Sequence, residues 1–522
     1  MQKRMAFLLL PCGAALLALT LIFPKIGFLE WIAAFPALLF LFGKKPPEKR
    51  VFGRYYAYGF LFFYTFYLVV FHWFFALYPM DFAGVEKSTA LFLVIFFWLG
   101  LSLLQAVVAA FVFPLFHLLS TTRLVRRVPL LTPAVFAALY AVFEWLQTLT
   151  FAGVPWGRLS LGQSACGVLL NGAAIAGSYL ITFSVLCVGG YVAFAVLHLD
   201  RVKIAAVCAL SIFLLNVALG GIGYAAAQPK GKESVKVAAV QGNLGSSRKW
   251  ESDSRAKSLE IYERYTAEAA VWGADMVVFP ETFIPENFSA ETPLGKYIVR
   301  LAVTYRVTVV CGAFEDTGEA QANAVFAVFP DGTVSETVYR KRHLVPFGEY
   351  VPLRGLVETL IPPLADVGML DDDLVAGESS AVIETPAGKM GTLICFDSIY
   401  ESLTRDSARD GAEFFVLPTN DSWFLDSAAA TMHLSQARLR AVESGRPIVR
   451  AADTGISAVI AADGSVSSVV PALTEGMSMG EITPTTARTP YTVCGNWLIA
   501  FFLIFLLSLP AHTLLCRRRE RD

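Results

Sequence analysis

Charge is what this sequence has least of. Only 16% of its 522 residues are Asp, Glu, Lys or Arg, and they cancel to a net charge of −1. That balance gives nucleic acid no basic surface to hold. Histidine is scarce as well, with six scattered along the chain, and the eight cysteines form no Cys-x-x-Cys pair and no paired spacing. Those absences argue against a zinc site and against a disulfide framework. Internal repeats and low-complexity tracts are missing too. No metal and no organic cofactor is implied.

What is abundant is hydrocarbon. Hydrophobic residues make up 55% of the chain, including 41 Phe, and the mean hydropathy is +0.56. This is too apolar for an ordinary soluble protein and long enough for a membrane bundle plus one globular domain. Runs able to cross about 30 Å of hydrocarbon fall at 5–23, 27–43, 54–79, 89–119, 131–149, 171–198, 202–224 and 494–516. The start, "MQKRMAFLLLPCGAALLAL", has the basic head and apolar run of a signal peptide. However, Pro11 stands where a processing site needs a small residue and another apolar run follows at once, so a retained first helix is expected.

Basic residues set the expected orientation. Lys3 and Arg4, the group Lys44 to Arg54, the group Arg123 to Arg127, Arg201 with Lys203, and Arg517 to Arg521 occupy every second connection and so share one side, while the alternate short loops carry little beyond Lys25, Lys87 and Arg158. The positive-inside rule then places both termini in the cytoplasm. The expected division is 1–224 as seven membrane helices, 225–493 as an outer domain, and 494–522 as a last helix with a basic tail. Within the polar segment, strand-like runs at 236–242, 275–281, 307–314, 323–330, 391–395 and 413–420 alternate with helix-like runs at 251–272, 291–305, 398–410 and 427–445. Two late hairpin strands follow, which predicts an α/β sandwich rather than a simple doubly wound sheet.

Three polar residues stand at notable places: Glu281 ends the strand "MVVFPE", Lys341 sits in "YRKRHLVPFGEY" and Cys395 ends "GTLIC". Side chains at the carboxyl ends of strands converge on one edge of an α/β domain. A carboxylate, an ammonium and a thiol gathered there could deprotonate the thiol, attack a carbonyl and stabilise the oxyanion. Cys311, inside the β-branched run "VTVVCGAF", is expected to be a buried hydrophobe instead. Arg340 and Arg342 should point away from the site that Lys341 faces, as strand alternation requires.

Four words carry a resemblance: "VVFPETFIPENF", "YRKRHLVPFGEYVP", "GTLICFDSIYES" and "LPTNDSWF", in that order. Together they resemble the nitrilase superfamily of carbon–nitrogen hydrolases, whose Glu–Lys–Cys triad sits on an αββα sandwich. With the flanking membrane helices, and with "QGNLGSSRKW" and "HLVPFGEYVP", the whole chain resembles the apolipoprotein N-acyltransferase family. The resemblance implies a ping-pong transfer. Cys395 takes the sn-1 acyl chain of a phospholipid, expected to be phosphatidylethanolamine, and passes it to the α-amino group of a diacylglyceryl-cysteine on an apolipoprotein. It implies Glu281 as base, Lys341 as oxyanion and thiolate stabiliser, Glu349 as a further essential carboxylate, and Trp250 near the acyl-chain entrance.

Phe396 and Asp397 depart from the Tyr–Glu common in that family. The ring is kept without its hydroxyl, and the charge is kept on a shorter stem. Asn420, Trp423 and His343 are read as pocket residues. The apolar run 352–370 is read as an interfacial lid. Three alternatives stay open at this point. One is a membrane-tethered amidase acting on a small amide. Another is a non-catalytic lipid-handling bundle. The third is a papain-like site pairing Cys395 with His433 and Asn420. The two cysteines of the polar segment separate filler from nucleophile: Cys311→Ser should keep near-parental activity in an acyl-transfer assay, whereas Cys395→Ala should lose it entirely.

Overall fold

The structure, a computed structural model, describes residues 2–43, 50–80, 85–150, 153–228, 233–245, 254–318, 320–360 and 372–520. Trp250 and residues 361–370 of the expected lid lie outside the described residues, as does the start of the helix expected from 251. The chain divides into two compact units. One comprises Met1–Phe74, Ile95–Ala226 and Thr489–Asp522, and the other Phe75–Val94 and Ala227–Arg488.

Among the described residues, eight helices are long and apolar enough to cross a membrane: Met5–Ile22, Pro24–Gly43, Val51–Leu77, Lys87–Ser120, Pro129–Leu146, Ser178–Leu197, Leu199–Ala227 and Trp497–Arg519. They follow the apolar runs, with two corrections. The sixth span was expected from 171, but residues 167–176 form two four-residue helices, and the long helix begins only after Gly177, whose φ of 74° breaks the path. The last span was expected from 494, but Pro490–Cys494 is a separate short helix ended by Gly495 at φ 61°.

The polar segment is an αββα sandwich. Its strands are β1 (Val235–Gln241), β2 (Met276–Val278), β3 (Thr308–Asp316), β4 (Gln321–Val328), β5 (Tyr339–Arg340), β6 (Ile383–Thr385), β7 (Gly388–Thr392), β8 (Phe414–Thr419), β9 (Ile448–Ala452), β10 (Ser457–Ile460), β11 (Val466–Val470) and β12 (Gly476–Ile482). They form two six-stranded sheets, ordered β12-β1-β2-β3-β4-β5 and β11-β10-β9-β8-β7-β6. The centre of each sheet is parallel, at β1-β2-β3 and β7-β8-β9, and antiparallel strands flank it. Parallel strands buried on both faces read as continuous apolar runs, as "VVFP" and "FFVLP" do.

One face of the first sheet packs on helices Ser254–Trp272 and Pro293–Tyr305 through Val277, Val309, Tyr262, Leu294 and Leu301. The faces between the sheets share a second core that includes Val278, Val310, Ile394, Val416 and Val449. Local signals delimit the helices. Thr292 caps Pro293–Tyr305 by accepting from the Gly295 N–H at 3.1 Å, and Gly445 ends Ala428–Ser444 in the left-handed region.

Glu281 and Cys395 were expected at strand ends, and both stand beyond them. β2 stops at Val278, so Glu281 lies in the following turn, held as the Gly312 N–H bonds the Pro280 carbonyl at 3.3 Å. β7 stops at Thr392, and Cys395 opens a 3₁₀ turn, Cys395–Ile399, at a φ of 47°. Gly312 is what lets the Glu281 turn lie against β3. A Cβ there would sit 2.7 Å from Glu281 Cα and 2.8 Å from the Pro280 oxygen. Gly312→Ala should therefore cost about 1–3 kcal/mol and lower the apparent melting temperature measured in detergent, with activity falling further than stability because Glu281 is displaced.

Candidate active site

Lys341 is a lysine with 1% exposure, placed just past β5 by a bond from its N–H to the Asn323 carbonyl at 2.8 Å. A buried ammonium has to be paired. Its Nζ lies 2.9 Å from Glu281 Oε1 and 2.8 Å from Glu349 Oε1. Asn323 Nδ2 donates to the same two oxygens, at 2.7 and 2.9 Å. Glu349 is fixed from behind by the Val345 N–H, 2.8 Å from its Oε2. Burial alone would strip the proton from Lys341, but Glu281, Glu349 and Cys395 outweigh it and hold the ammonium well above the ordinary lysine range.

Asn420 joins this cluster to the thiol. Its N–H donates to Glu281 Oε2 at 2.8 Å, and its carbonyl oxygen lies 3.9 Å from Cys395 Sγ. Glu281, Lys341 and Cys395 are therefore gathered in one buried cluster, with Glu349 as a fourth member. Burial first, then the Glu281 charge, push the Cys395 thiol well above its usual value, while Lys341 pulls the other way. At rest the sulfur is therefore held as a neutral thiol. Cys311 is fully buried on the other side of β3, and burial pushes its thiol to about 12, which fits a core filler.

A left-handed φ at a non-glycine residue costs about 1–3 kcal/mol, and two hydrogen-bonded groups hold Cys395 in it. The first is Asp397, fully buried, which accepts from the Ile394 N–H at 3.0 Å, the His343 N–H at 2.8 Å and the Tyr339 hydroxyl at 2.9 Å. Its short stem thus ties the cysteine turn to the lysine loop. Burial raises this carboxyl to about 6, although Lys341 and the three donors oppose the rise. The second is His433, whose Nε2 lies 3.1 Å from the Cys395 carbonyl oxygen and 2.9 Å from Ser398 Oγ. Its Nδ1 meets Asp421 Oδ1 at 2.8 Å, and Arg450 holds Asp421 Oδ2 at 2.5 Å. Although burial opposes it, Arg450 and His433 keep the Asp421 carboxyl below the ordinary range.

Among the described residues, Cys395, Asp421 and His433 are the one group with ligand-type atoms close together, all within 4.8 Å. Asp421 and both imidazole nitrogens are committed to the hydrogen bonds above, so the group reads as a brace, not as an open metal site. The papain-like pairing is not what the geometry favours, because the imidazole hydrogen-bonds the main-chain oxygen of Cys395 and the Ser398 hydroxyl.

The remaining expected residues fall around this centre. The half-buried His343 ring stacks on Tyr400 with centroids 4.0 Å apart, and burial together with Arg342 lowers its pKa. Phe396 packs edge-on against the same Tyr400 at 5.6 Å. Asn420 Oδ1 accepts from Ser422 Oγ at 2.7 Å, and Trp423 is half-buried in the following turn. Arg340 points outward to Glu315 at 2.6 Å, as alternation predicts. Arg342 departs from it: its side chain is 20% exposed, lies 3.5 Å from Asp406, and buries one guanidinium nitrogen. β5 ends at Arg340, so strand alternation no longer governs residue 342.

Comparison with known proteins adds the following. A carbon–nitrogen hydrolase family model matches residues 236–491. An apolipoprotein N-acyltransferase N-terminal domain model matches residues 13–191. The chain is 32% identical over 431 residues to the apolipoprotein N-acyltransferase of Gloeobacter violaceus, covering 81% of this chain and 78% of that protein. It is 30% identical over 371 residues to that of Geobacter metallireducens, covering 69% and 70%. For that of Vibrio parahaemolyticus the figures are 28% over 387 residues, 71% and 73%. Among solved structures it is similar to Nit3 of Saccharomyces cerevisiae, a nitrilase-superfamily member, at 20% identity and a TM-score of 0.39, covering 50% of this chain and 95% of that one. A carbon–nitrogen hydrolase from Helicobacter pylori matches at 18% identity and a TM-score of 0.36, covering 48% and 89%.

The electrostatics of the thiol give a signed expectation. Alkylation of Cys395 by iodoacetamide, followed at the peptide level by mass spectrometry, should rise with pH through a midpoint above that of a free cysteine. Glu281→Gln removes a charge that raises the thiol pKa, so the midpoint should move down even though turnover is lost. Lys341→Met should move it up. A midpoint at the free-thiol value would mean that burial and Glu281 do not raise the thiol, and one below neutral pH would mean that the thiolate is already formed at rest.

Proposed function

The chain belongs to the apolipoprotein N-acyltransferase family, and from that premise we propose that it moves the sn-1 acyl chain of a phospholipid onto the α-amino group of a diacylglyceryl-cysteine through a thioester on Cys395. It is a multi-pass membrane protein. Residues 225–493 carry the chemistry, while 1–224 and 494–522 hold it in lipid. The observation that carries the reading is the buried cluster of one ammonium, two carboxylates and one thiol joined through Asn420, in a chain with eight membrane-length helices among its described residues.

The geometry suggests this sequence of steps. Glu281 takes the Cys395 proton as sulfur attacks the ester carbonyl. Negative charge develops on the carbonyl oxygen, and Lys341 is the cation at hand to meet it. Cys395 and Phe396 open a 3₁₀ turn, whose leading N–H groups have no acceptor within the helix and are available to the same oxygen. The glycerol oxygen leaves with the proton from Glu281 as lysophospholipid, and the acyl chain stays on sulfur. The amine then attacks the thioester, Glu281 takes its proton, and the thiol is restored as the amide forms. Glu349 and Asn323 hold Lys341 and Glu281 in register, and Asp397 and His433 hold the cysteine turn.

Water competes with the amine for the thioester, and a site buried from water favours the amide product. Phosphatidylethanolamine as donor, a bacterial inner membrane, a catalytic domain on its outer side and cytoplasmic termini complete the proposal. The distribution of basic residues supports that orientation.

Intact mass after mixing with phosphatidylethanolamine tests the reading. The parent protein should gain one hydroxylamine-sensitive acyl group and discharge it onto a diacylglyceryl lipopeptide, and Cys395→Ser should gain none. Glu281→Ala and Lys341→Ala should each slow the reaction by roughly 10²–10⁴. Turnover of soluble amides without any adduct would replace transferase by amidase.

A further inference from the structure

The membrane unit is not helical throughout. Pro24–Leu29 and Leu159–Gln163 are 3₁₀ turns inside it, and they touch where Gly27 lies against the Gly162 carbonyl, with no room for a Cβ. Gly27 and all five residues of Leu159–Gln163 are buried. Gln163, at 1% exposure, donates to the Gly27 carbonyl at 2.8 Å and to Glu30 Oε2 at 2.6 Å, and accepts from Trp31 Nε1 at 3.1 Å. Those bonds use both amide N–H groups and one of the two acceptor positions of the oxygen.

Beside this knot is a cavity of about 440 Å³ walled by Phe28, Trp31, Leu169, Val188 and Phe213, with Lys25 also lining it. The volume is that of an ordinary small-ligand site. With both Gln163 amide N–H groups engaged, the interior offers hydrocarbon and aromatic surface. Lys25 is exposed, stands at the end of the second apolar span, and has no ion-pair partner among the described residues. A cation at that level faces lipid phosphate.

We propose that this cavity is a binding site for a resident phospholipid, one acyl chain filling the pocket and the phosphate meeting Lys25. The bound lipid is not consumed: no nucleophile engaged in the transfer lines the pocket. An apolar void in contact with lipid chains fills with them, and Lys25, which has no ion-pair partner among the described residues, selects a lipid that carries phosphate. The inference stands on the membrane unit alone and holds whether or not the proposed transfer is correct.

Cys166 lines the cavity and is exposed, so it reports occupancy, while Cys494 is exposed without lining it. The full-length protein is stripped of lipid in detergent, titrated with phosphatidylglycerol and treated with N-ethylmaleimide, and each cysteine is quantified by peptide mass. Lipid should slow labelling of Cys166 at least fivefold and leave Cys494 unchanged. Leu169→Trp, which fills the pocket, should abolish the protection. Lys25→Glu, a surface change that leaves the fold intact, should shift the protecting concentration upward roughly tenfold. Equal protection by diacylglycerol, or protection indifferent to both variants, would overturn the site. Recovery of the bound lipid as its lyso form after turnover would overturn its resident character, making the cavity part of the donor path.

Discussion

A lysine ammonium with almost no access to water has to be neutralised where it stands. Lys341 is met by Glu281 and Glu349 at 2.9 and 2.8 Å, and the rest of the catalytic centre is arranged around that need. Taking away either carboxylate would leave a buried charge uncompensated, which typically costs 3–5 kcal/mol. Burial, reinforced by the Glu281 charge and opposed by Lys341, keeps the neighbouring thiol protonated at rest. Glu281 and Lys341 are thus held in position by an ion pair whose two members act on that thiol in opposite directions.

Each group in the cluster serves position and chemistry together. Asn323 duplicates the lysine's contacts with an uncharged donor, so the carboxylates stay in register even while protons and charge shift between them. The cysteine turn is built in the same way. Its left-handed backbone is held by a buried acid from the front and a buried imidazole from behind. Asp397 is one methylene shorter than the residue the family commonly has there, yet it reaches three donors on two different segments. The missing Tyr hydroxyl at 396 leaves a ring that packs on Tyr400, and nothing else in the cluster depends on it.

Most of the architecture was legible in the sequence because both solvents leave strong marks. Lipid demands long unbroken apolar runs, and a sandwich core demands short β-branched ones. That Glu281, Lys341 and Cys395 come together was legible because polar residues set beside strands in family-specific words are rare. Glu349 came from the resemblance alone. Asn323 was missed: it lies inside a strand, "NAVFAVFP", where a polar residue at a strand start carries no distinctive signal. Gly312, Asp421 and Arg450 were missed for a similar reason, because their partners come from elements distant in sequence. His433 was noticed for the wrong role, since the spacing of a histidine cannot say which atom of a cysteine it faces. The breaks at Gly177 and Gly495 were hidden inside apolar stretches, where hydropathy does not register a change of backbone.

The base is also anchored by a main-chain group. Glu281 Oε2 takes its bond from the amide of residue 420, and an amide is supplied by every residue except proline. The side chain at 420 is therefore an independent variable. It can change without loosening that anchor on the carboxylate. The main chain of residue 420 meets both Glu281 and the Cys395 sulfur, so a substitution there alters the lining of the cluster while leaving its wiring in place.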